Sequence, residues 1–202
     1  MIEPKQLQAV IFDLGNVLVF HDNDRLFAEM AKAFGCSREE FKAKLEPDFW
    51  GRVNRGQVKG DALRQALQER VGGKVSAAEF VRVWNCHFTL NAPMLPLVDA
   101  LKDKTRLVLL SNTHDLHFNF LRPQLPVLEH FRGLVLSCEV GHVKPEAEIF
   151  ARAVEVADCP AEACVFFDDL AEYVQAAQRQ GLNAHVYTDA AAYAETMKNY
   201  RF

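Results

Sequence analysis

Five short stretches of the chain are predominantly apolar: residues 9–12, 107–110, 134–136, 163–167 and 184–187. They are runs rather than alternations. A strand covered on both faces reads this way, because neither face meets water. Between the later runs the spacing changes to that of a helix. Met94, Leu97, Val98 and Leu101 fall on one stripe, and so do Ile149, Phe150, Ala153, Val154 and Ala157. Pro145 is expected at the start of the second of these helices, and Gly181 just past the end of another over 171–180. Strand and helix in alternation predict an α/β fold: a Rossmann-like parallel sheet core with helices on its faces.

Residues 23–88 break the alternation. Leu26, Met30 and Phe34 share a helical face. Ser37 and Glu40 have the spacing of a capping box ahead of Phe41 and Leu45, and Ser76 and Glu79 repeat it ahead of Phe80, Val83, Trp84, His87 and Phe88. Leu63, Ala66, Leu67 and Val71 form a further stripe. The pattern predicts about four helices inserted after the first strand. The chain therefore divides into an α/β core, residues 1–21 and 89–202, and an inserted α-helical cap, residues 22–88.

Composition narrows the function classes. Half of the residues are hydrophobic and the net charge is −4, so the chain buries a core and lacks the basic balance of a nucleic-acid binder. Net charge does not exclude a small anionic ligand, whose site is local. The five cysteines, Cys36, Cys86, Cys138, Cys159 and Cys164, form no C-x-x-C pair and are read as free thiols. Residues 1–5 hold no apolar leader, and no stretch has the length of a membrane span. These features lead us to expect a cytoplasmic protein with no membrane partner, as a monomer or homodimer.

Ligands of open parallel sheets bind beyond the carboxyl ends of the strands. There the sequence places Asp13-Leu14-Gly15-Asn16 after the first run, Ser111-Asn112-Thr113 after the second, Lys144-Pro145 shortly after the third, and Asp168-Asp169 after the fourth. Acids, a hydroxyl and a lysine gathered in this way suit phosphoryl transfer. A carboxylate can take a phosphoryl group as nucleophile. Mg²⁺ takes hard oxygen ligands and keeps water and substrate phosphate. A lysine offsets the repulsion between an anionic nucleophile and an anionic phosphate.

The runs Phe12-Asp13-Leu14-Gly15-Asn16-Val17-Leu18-Val19, Leu110-Ser111-Asn112-Thr113, Lys144-Pro145-Glu146 and Phe166-Phe167-Asp168-Asp169 resemble the four ordered motifs of the haloacid dehalogenase (HAD) superfamily. They are most similar to a bacterial α-D-glucose-1-phosphate phosphatase-like group. The resemblance implies Asp13 as nucleophile, Ser111 and Asn112 as phosphate-binding, and Lys144 as both catalytic and phosphate-binding. It implies Mg²⁺ held by Asp13, Asp169 and the Gly15 carbonyl, with Asp168 in support. The implied activity is hydrolysis of a small phosphorylated metabolite such as a sugar phosphate.

Two positions depart from that pattern. The family's phosphatases carry an acid/base Asp where this chain has Gly15, so Asp22 or His21 is expected as a surrogate unless both are solvated hinge residues. Tyr173 stands where the family often has Asp or Asn, which bears on metal affinity. In the cap, residues 49–56 read as a loop or broken helix whose Arg52 and Arg55 either grip substrate or lie exposed. Trp84, His87 and Phe88 are expected in the core, His114 and His117 on the surface. Two other readings stay open: a metal-independent 2-haloacid dehalogenase, and a catalytically weakened protein that binds a phosphorylated ligand.

Overall fold

The computed structural model describes residues 5–45 and 48–202. The first four residues, on which most of the reading of the leader rests, lie outside the described residues. The central sheet is built from β2 (Ala9–Phe12), β5 (Arg106–Ser111), β6 (Gly133–Leu136), β7 (Cys164–Asp168) and β8 (Asn183–Val186), in the order β6-β5-β2-β7-β8. Every pairing in it is parallel. A separate parallel pair joins β1 (Lys5–Gln6) to β9 (Tyr200–Arg201).

The apolar runs are continuous because both faces of the sheet are covered. Val10, Phe12, Leu107, Leu109, Val165 and Phe167 point to one side, against α6 (Met94–Asp99) and α7 (Asp115–Leu121). Ile11, Val108, Leu110 and Phe166 point to the other, against α9 (Ala147–Ala157) and α10 (Ala171–Arg179). Successive side chains of a strand alternate in this way, so a two-faced burial demands apolar residues at every position.

The insertion leaves and re-enters the sheet along a two-stranded antiparallel ribbon, β3 (Val19–His21) and β4 (Phe88–Leu90). Among the described residues between them lie five helices rather than about four: α1 (Asn23–Phe34), α2 (Arg38–Ala43), α3 (Phe49–Asn54), α4 (Asp61–Val71) and α5 (Ala77–Trp84). The extra helix is α3, in the segment read as a loop or broken helix. Its Phe49 and Val53 are four residues apart and both fully buried, which anchors a sequence interrupted by Gly51. The predicted stripe through Phe88 ends earlier, at Trp84, and Phe88 belongs to β4.

Leu26, Met30, Phe34, Phe41, Leu63, Leu67, Phe80 and Trp84 form the cap's own core. Ser37 and Glu40 make the full capping box. Ser76 caps Glu79 in one direction, while the Glu79 carboxylate turns to Arg82. Gly181 follows α10 with a φ of +86°, as expected of a residue past a helix end. Pro145 sits before the N-cap residue Glu146 rather than inside α9.

Candidate active site

Asp13 directly follows the central strand, β2. Ser111 ends the neighbour on one side, and Asp168 ends the neighbour on the other. The strand order reverses direction here, and such a switch point opens a crevice at the carboxyl edge. The sheet register alone thus brings three of the sequence-predicted residues together.

Lys144 reaches into this edge from the loop after β6. Its Nζ lies 2.9 Å from Asp13 Oδ1 and also bonds Asp168 Oδ2. All three groups are buried. Burial is the largest influence on Asp13 and raises its pKa to about 7; Lys144 opposes that rise and Asp168 adds to it. Burial also disfavours the Lys144 ammonium, but Asp13 and Asp168 outweigh it and hold its pKa above the ordinary value. Asp168 is held further by the Leu170 amide, which donates to its Oδ1 at 2.9 Å. It is thus a partner for Lys144.

One oxygen from each of Asp13, Asp168 and Asp169 falls within 4.8 Å of the others. Three carboxylates against one ammonium leave an excess of negative charge, and the donors are hard oxygens, so the site fits Mg²⁺. Asn16 orients Asp169 by donating from Nδ2 to its Oδ2 at 2.8 Å. Asn16 adopts a φ of +53°, and an Asn tolerates that conformation better than most residues.

Asn112 does more than the sequence reading assigned to it. Its side chain donates to the Lys144 carbonyl at 3.0 Å and accepts from the Lys144 amide at 2.8 Å. This double bond pair clamps the lysine's backbone to the end of β5. Ser137 fastens the next residue in the same fashion, bonding both the amide and the carbonyl of Thr113 at 3.0 Å. Tyr173 lays its ring 5.1 Å from Lys144 Nζ and its hydroxyl 3.4 Å from Asn112 Nδ2. It therefore supports the lysine through a cation–π contact, which a carboxylate at that position does by charge. Neither Ser137 nor the ring role of Tyr173 carried a sequence signal, because both depend on loops distant in the chain.

The carboxyl edge opens into a cavity of about 560 Å³ roofed by the cap. Asp13, Gly15, Ser111, Asn112, Lys144 and Asp169 line its floor. His21 stands beside Gly15: a Cβ there would meet its Cδ2 and Nε2 at 3.3 Å. Its Nε2 is 3.3 Å from Asn16 Nδ2. Asp22 is elsewhere, exposed at the N-cap of α1, where it accepts from the Arg25 amide at 3.0 Å.

Arg52 and Arg55 are not among the residues that line the cavity, which takes Trp50 and Asn54 from the same helix. Arg55 instead pairs with Glu146, directly after Lys144-Pro145, and so ties cap to core. Two backbone contacts tie them as well. The Gly60 amide donates to Asp115 Oδ2 at 2.9 Å. Gly56, with a φ of +70°, passes so close to α8 (Ser137–Val140) that a Cβ would stand 2.0 Å from the Cys138 carbonyl oxygen.

His114 and His117 correct the expectation of a surface position. His114 is buried, and the two rings lie 3.8 Å apart beneath Trp84 and beside His87. The start of α7 is polar in sequence because it faces the cavity and the end of α5, not because it meets water. His87, Trp84 and half-buried Phe88 hold the inner positions expected of them.

A family model described as a haloacid dehalogenase-like hydrolase matches residues 7–181. A sesquiterpene phosphatase of Aspergillus oryzae is 27% identical over 188 residues, covering 92% of each chain. A D-ribitol-5-phosphate phosphatase of Bacteroides thetaiotaomicron is 23% identical over 171 residues, 81% of this chain and 83% of its own. Among solved structures, the HAD family enzyme bt-2542 of that bacterium, in complex with magnesium and inorganic phosphate, aligns with a TM-score of 0.82 at 26% identity. The alignment covers 91% of this chain and 95% of that one.

Proposed function

Because the chain belongs to the haloacid dehalogenase-like hydrolases, we propose that it is a phosphatase that hydrolyses the monoester of a small phosphorylated metabolite through a phosphoryl group carried on Asp13. The observation that carries this reading is the buried Asp13–Lys144 pair set among the oxygens of Asp168 and Asp169. Asp13, Asp169 and the Gly15 carbonyl would hold Mg²⁺, which when bound offsets charge on the phosphate oxygens.

The chain's own groups account for the rest. Asp13 attacks phosphorus in line, forming an acyl phosphate bond as the bond to the ester oxygen breaks. Ser111 and the Asn112 amide hold the phosphate oxygens that Lys144 also attracts. Lys144 favours the ionised Asp13 that attacks, opposing the burial that favours its protonated form. His21 is the side chain placed to give the departing oxygen its proton and then take one from the water that releases phosphate. The roof of the cavity excludes bulk water while the phosphoryl enzyme waits.

The two relatives are named for unlike substrates, a sesquiterpene and D-ribitol 5-phosphate, so their names leave the alcohol open for this chain. The five free thiols suit a reducing compartment, consistent with a cytoplasmic site of action.

Asp13→Asn tests the mechanism. Phosphate release from p-nitrophenyl phosphate in the presence of Mg²⁺ should fall to background in a variant that still folds. A variant with the parent rate would rule out Asp13 as nucleophile.

A further inference from the structure

We infer that the alcohol half of the substrate is an apolar group, aromatic or extended aliphatic, bearing a single phosphate, because the cavity away from Asp13 is walled by Leu26, Phe27, Trp50, Phe88 and Leu121 and offers no charged side chain. The inference rests on the phosphatase reading and deepens it, replacing the sugar phosphate expected from the sequence.

Charge comes first. Among the described residues that line the cavity, Asp13, Lys144 and Asp169 are the formally charged ones, and all three belong to the phosphate end, as does His21 beside Gly15. A second phosphate or a carboxylate on the substrate would enter without a counter-charge, at the cost of its hydration. Neither Arg52 nor Arg55 of the cap lines the cavity, and Arg55 is paired with Glu146. The histidines do not substitute for them. Burial lowers the pKa of His87 to about 4 and that of His114 to about 3, and His117 follows well below its ordinary value. All three are neutral at pH 7.

Hydroxyl groups fare little better. His87 Nδ1 and His114 Nε2 have no hydrogen-bond partner but are buried in the wall, out of reach of a hydroxyl in the cavity. His117 Nε2 is taken by the Trp84 carbonyl at 3.0 Å. Asn23 and Asn54 also line the cavity and can each pair a hydroxyl, but a polyol chain would press its other hydroxyls against the rings of Phe27, Trp50 and Phe88, and an unpaired buried hydroxyl is unfavourable.

The rings themselves form a fixed surface. Trp50 stacks on Trp84 at 5.5 Å with 20° between planes, and Phe27 meets Trp50 edge-on at 6.0 Å. An apolar group slides along such a surface with loss of water from both sides, which favours binding.

The test uses the whole chain with Mg²⁺ and compares kcat/KM for 2-(1-naphthyl)ethyl phosphate and D-ribitol 5-phosphate. Both are primary alkyl esters, so their intrinsic reactivity is matched. p-Nitrophenyl phosphate serves as the activated reference. The naphthyl ester should be preferred by at least about tenfold, the discrimination a few apolar contacts supply. Trp50→Asn should narrow that ratio; because the readout is a ratio, loss of folded protein does not imitate it. A ratio that Trp50→Asn leaves unchanged overturns the assignment to this wall. If the ribitol ester is cleaved as well or better, the apolar inference falls and the phosphatase reading stands. If no ester releases phosphate, p-nitrophenyl phosphate included, both fall together.

Discussion

Gly15 leaves room beside the nucleophile, and His21 fills it with an imidazole 3.3 Å from where a side chain at Gly15 would begin. A sequence comparison by position sees a missing acid; the structure puts an imidazole from β3 beside the gap. His21→Ala should lower kcat by about 10²-fold, the lower end of what acid–base catalysis contributes. Asp22→Ala, at an exposed cap, should leave kcat within about twofold, since surface changes away from a site perturb little. Steady-state kinetics on p-nitrophenyl phosphate with both variants separates the two surrogates. Asn112 makes a second point at this scale. Its side chain bonds both backbone groups of Lys144, so Asn112→Ala leaves an amide and a carbonyl near the site unpaired. Denaturant unfolding should show a loss of about 1–3 kcal/mol, together with a slower enzyme as Lys144 loses its fixed position. Asp13, Ser111, Lys144 and the acidic pair were legible because each follows its own apolar run. The grip of Asn112 and the ring of Tyr173 were not, since they join segments that the chain separates by dozens of residues.

Secondary structure was readable where one face of an element meets apolar partners and another meets water. The stripes of α1, α4 and α5 and the two serine caps have that character. Helix α3 did not, because it is short, contains Gly51 and is held by two buried residues rather than by a long stripe. It is also the element that decides how the cap meets the core. Gly56 closes it onto the Cys138 carbonyl at a distance that no side chain tolerates, in a left-handed conformation that favours glycine. Gly56→Ala should therefore push α3 away from α8. The expected result is a lower Tm and a raised KM, with kcat less affected, because the roof rather than the floor is disturbed. Unchanged Tm and KM would mean that this contact does not set the cap's position. Arg55, read as either a substrate contact or an exposed side chain, sits at this same junction through Glu146.

For the whole molecule, the crowd of carboxylates around one lysine leads us to expect activity that depends on a divalent cation. EDTA should abolish phosphate release and added Mg²⁺ restore it; phosphate release that survives chelation would overturn the metal requirement. The histidine cluster makes stability depend on pH. His87, His114 and His117 have folded pKa values below 6.5, so the unfolded chain binds more protons in acid. The stability they contribute is complete above about pH 6.5 and is lost as pH falls toward about 4. Urea midpoints at pH 7 and pH 5 should show the loss, and His114→Leu should flatten it. The order of apolar runs, their unbroken apolar character and the four chemical groups after them are local properties, so the chain alone determined the α/β core, the inserted helices and the residues of the cavity floor. What the roof is made of, and that the polar-looking start of α7 turns inward to meet Trp84, was decided only by tertiary structure. Docking of the cap settles which face of each segment is covered, and a one-dimensional pattern does not distinguish a polar face that meets water from one that meets a cavity.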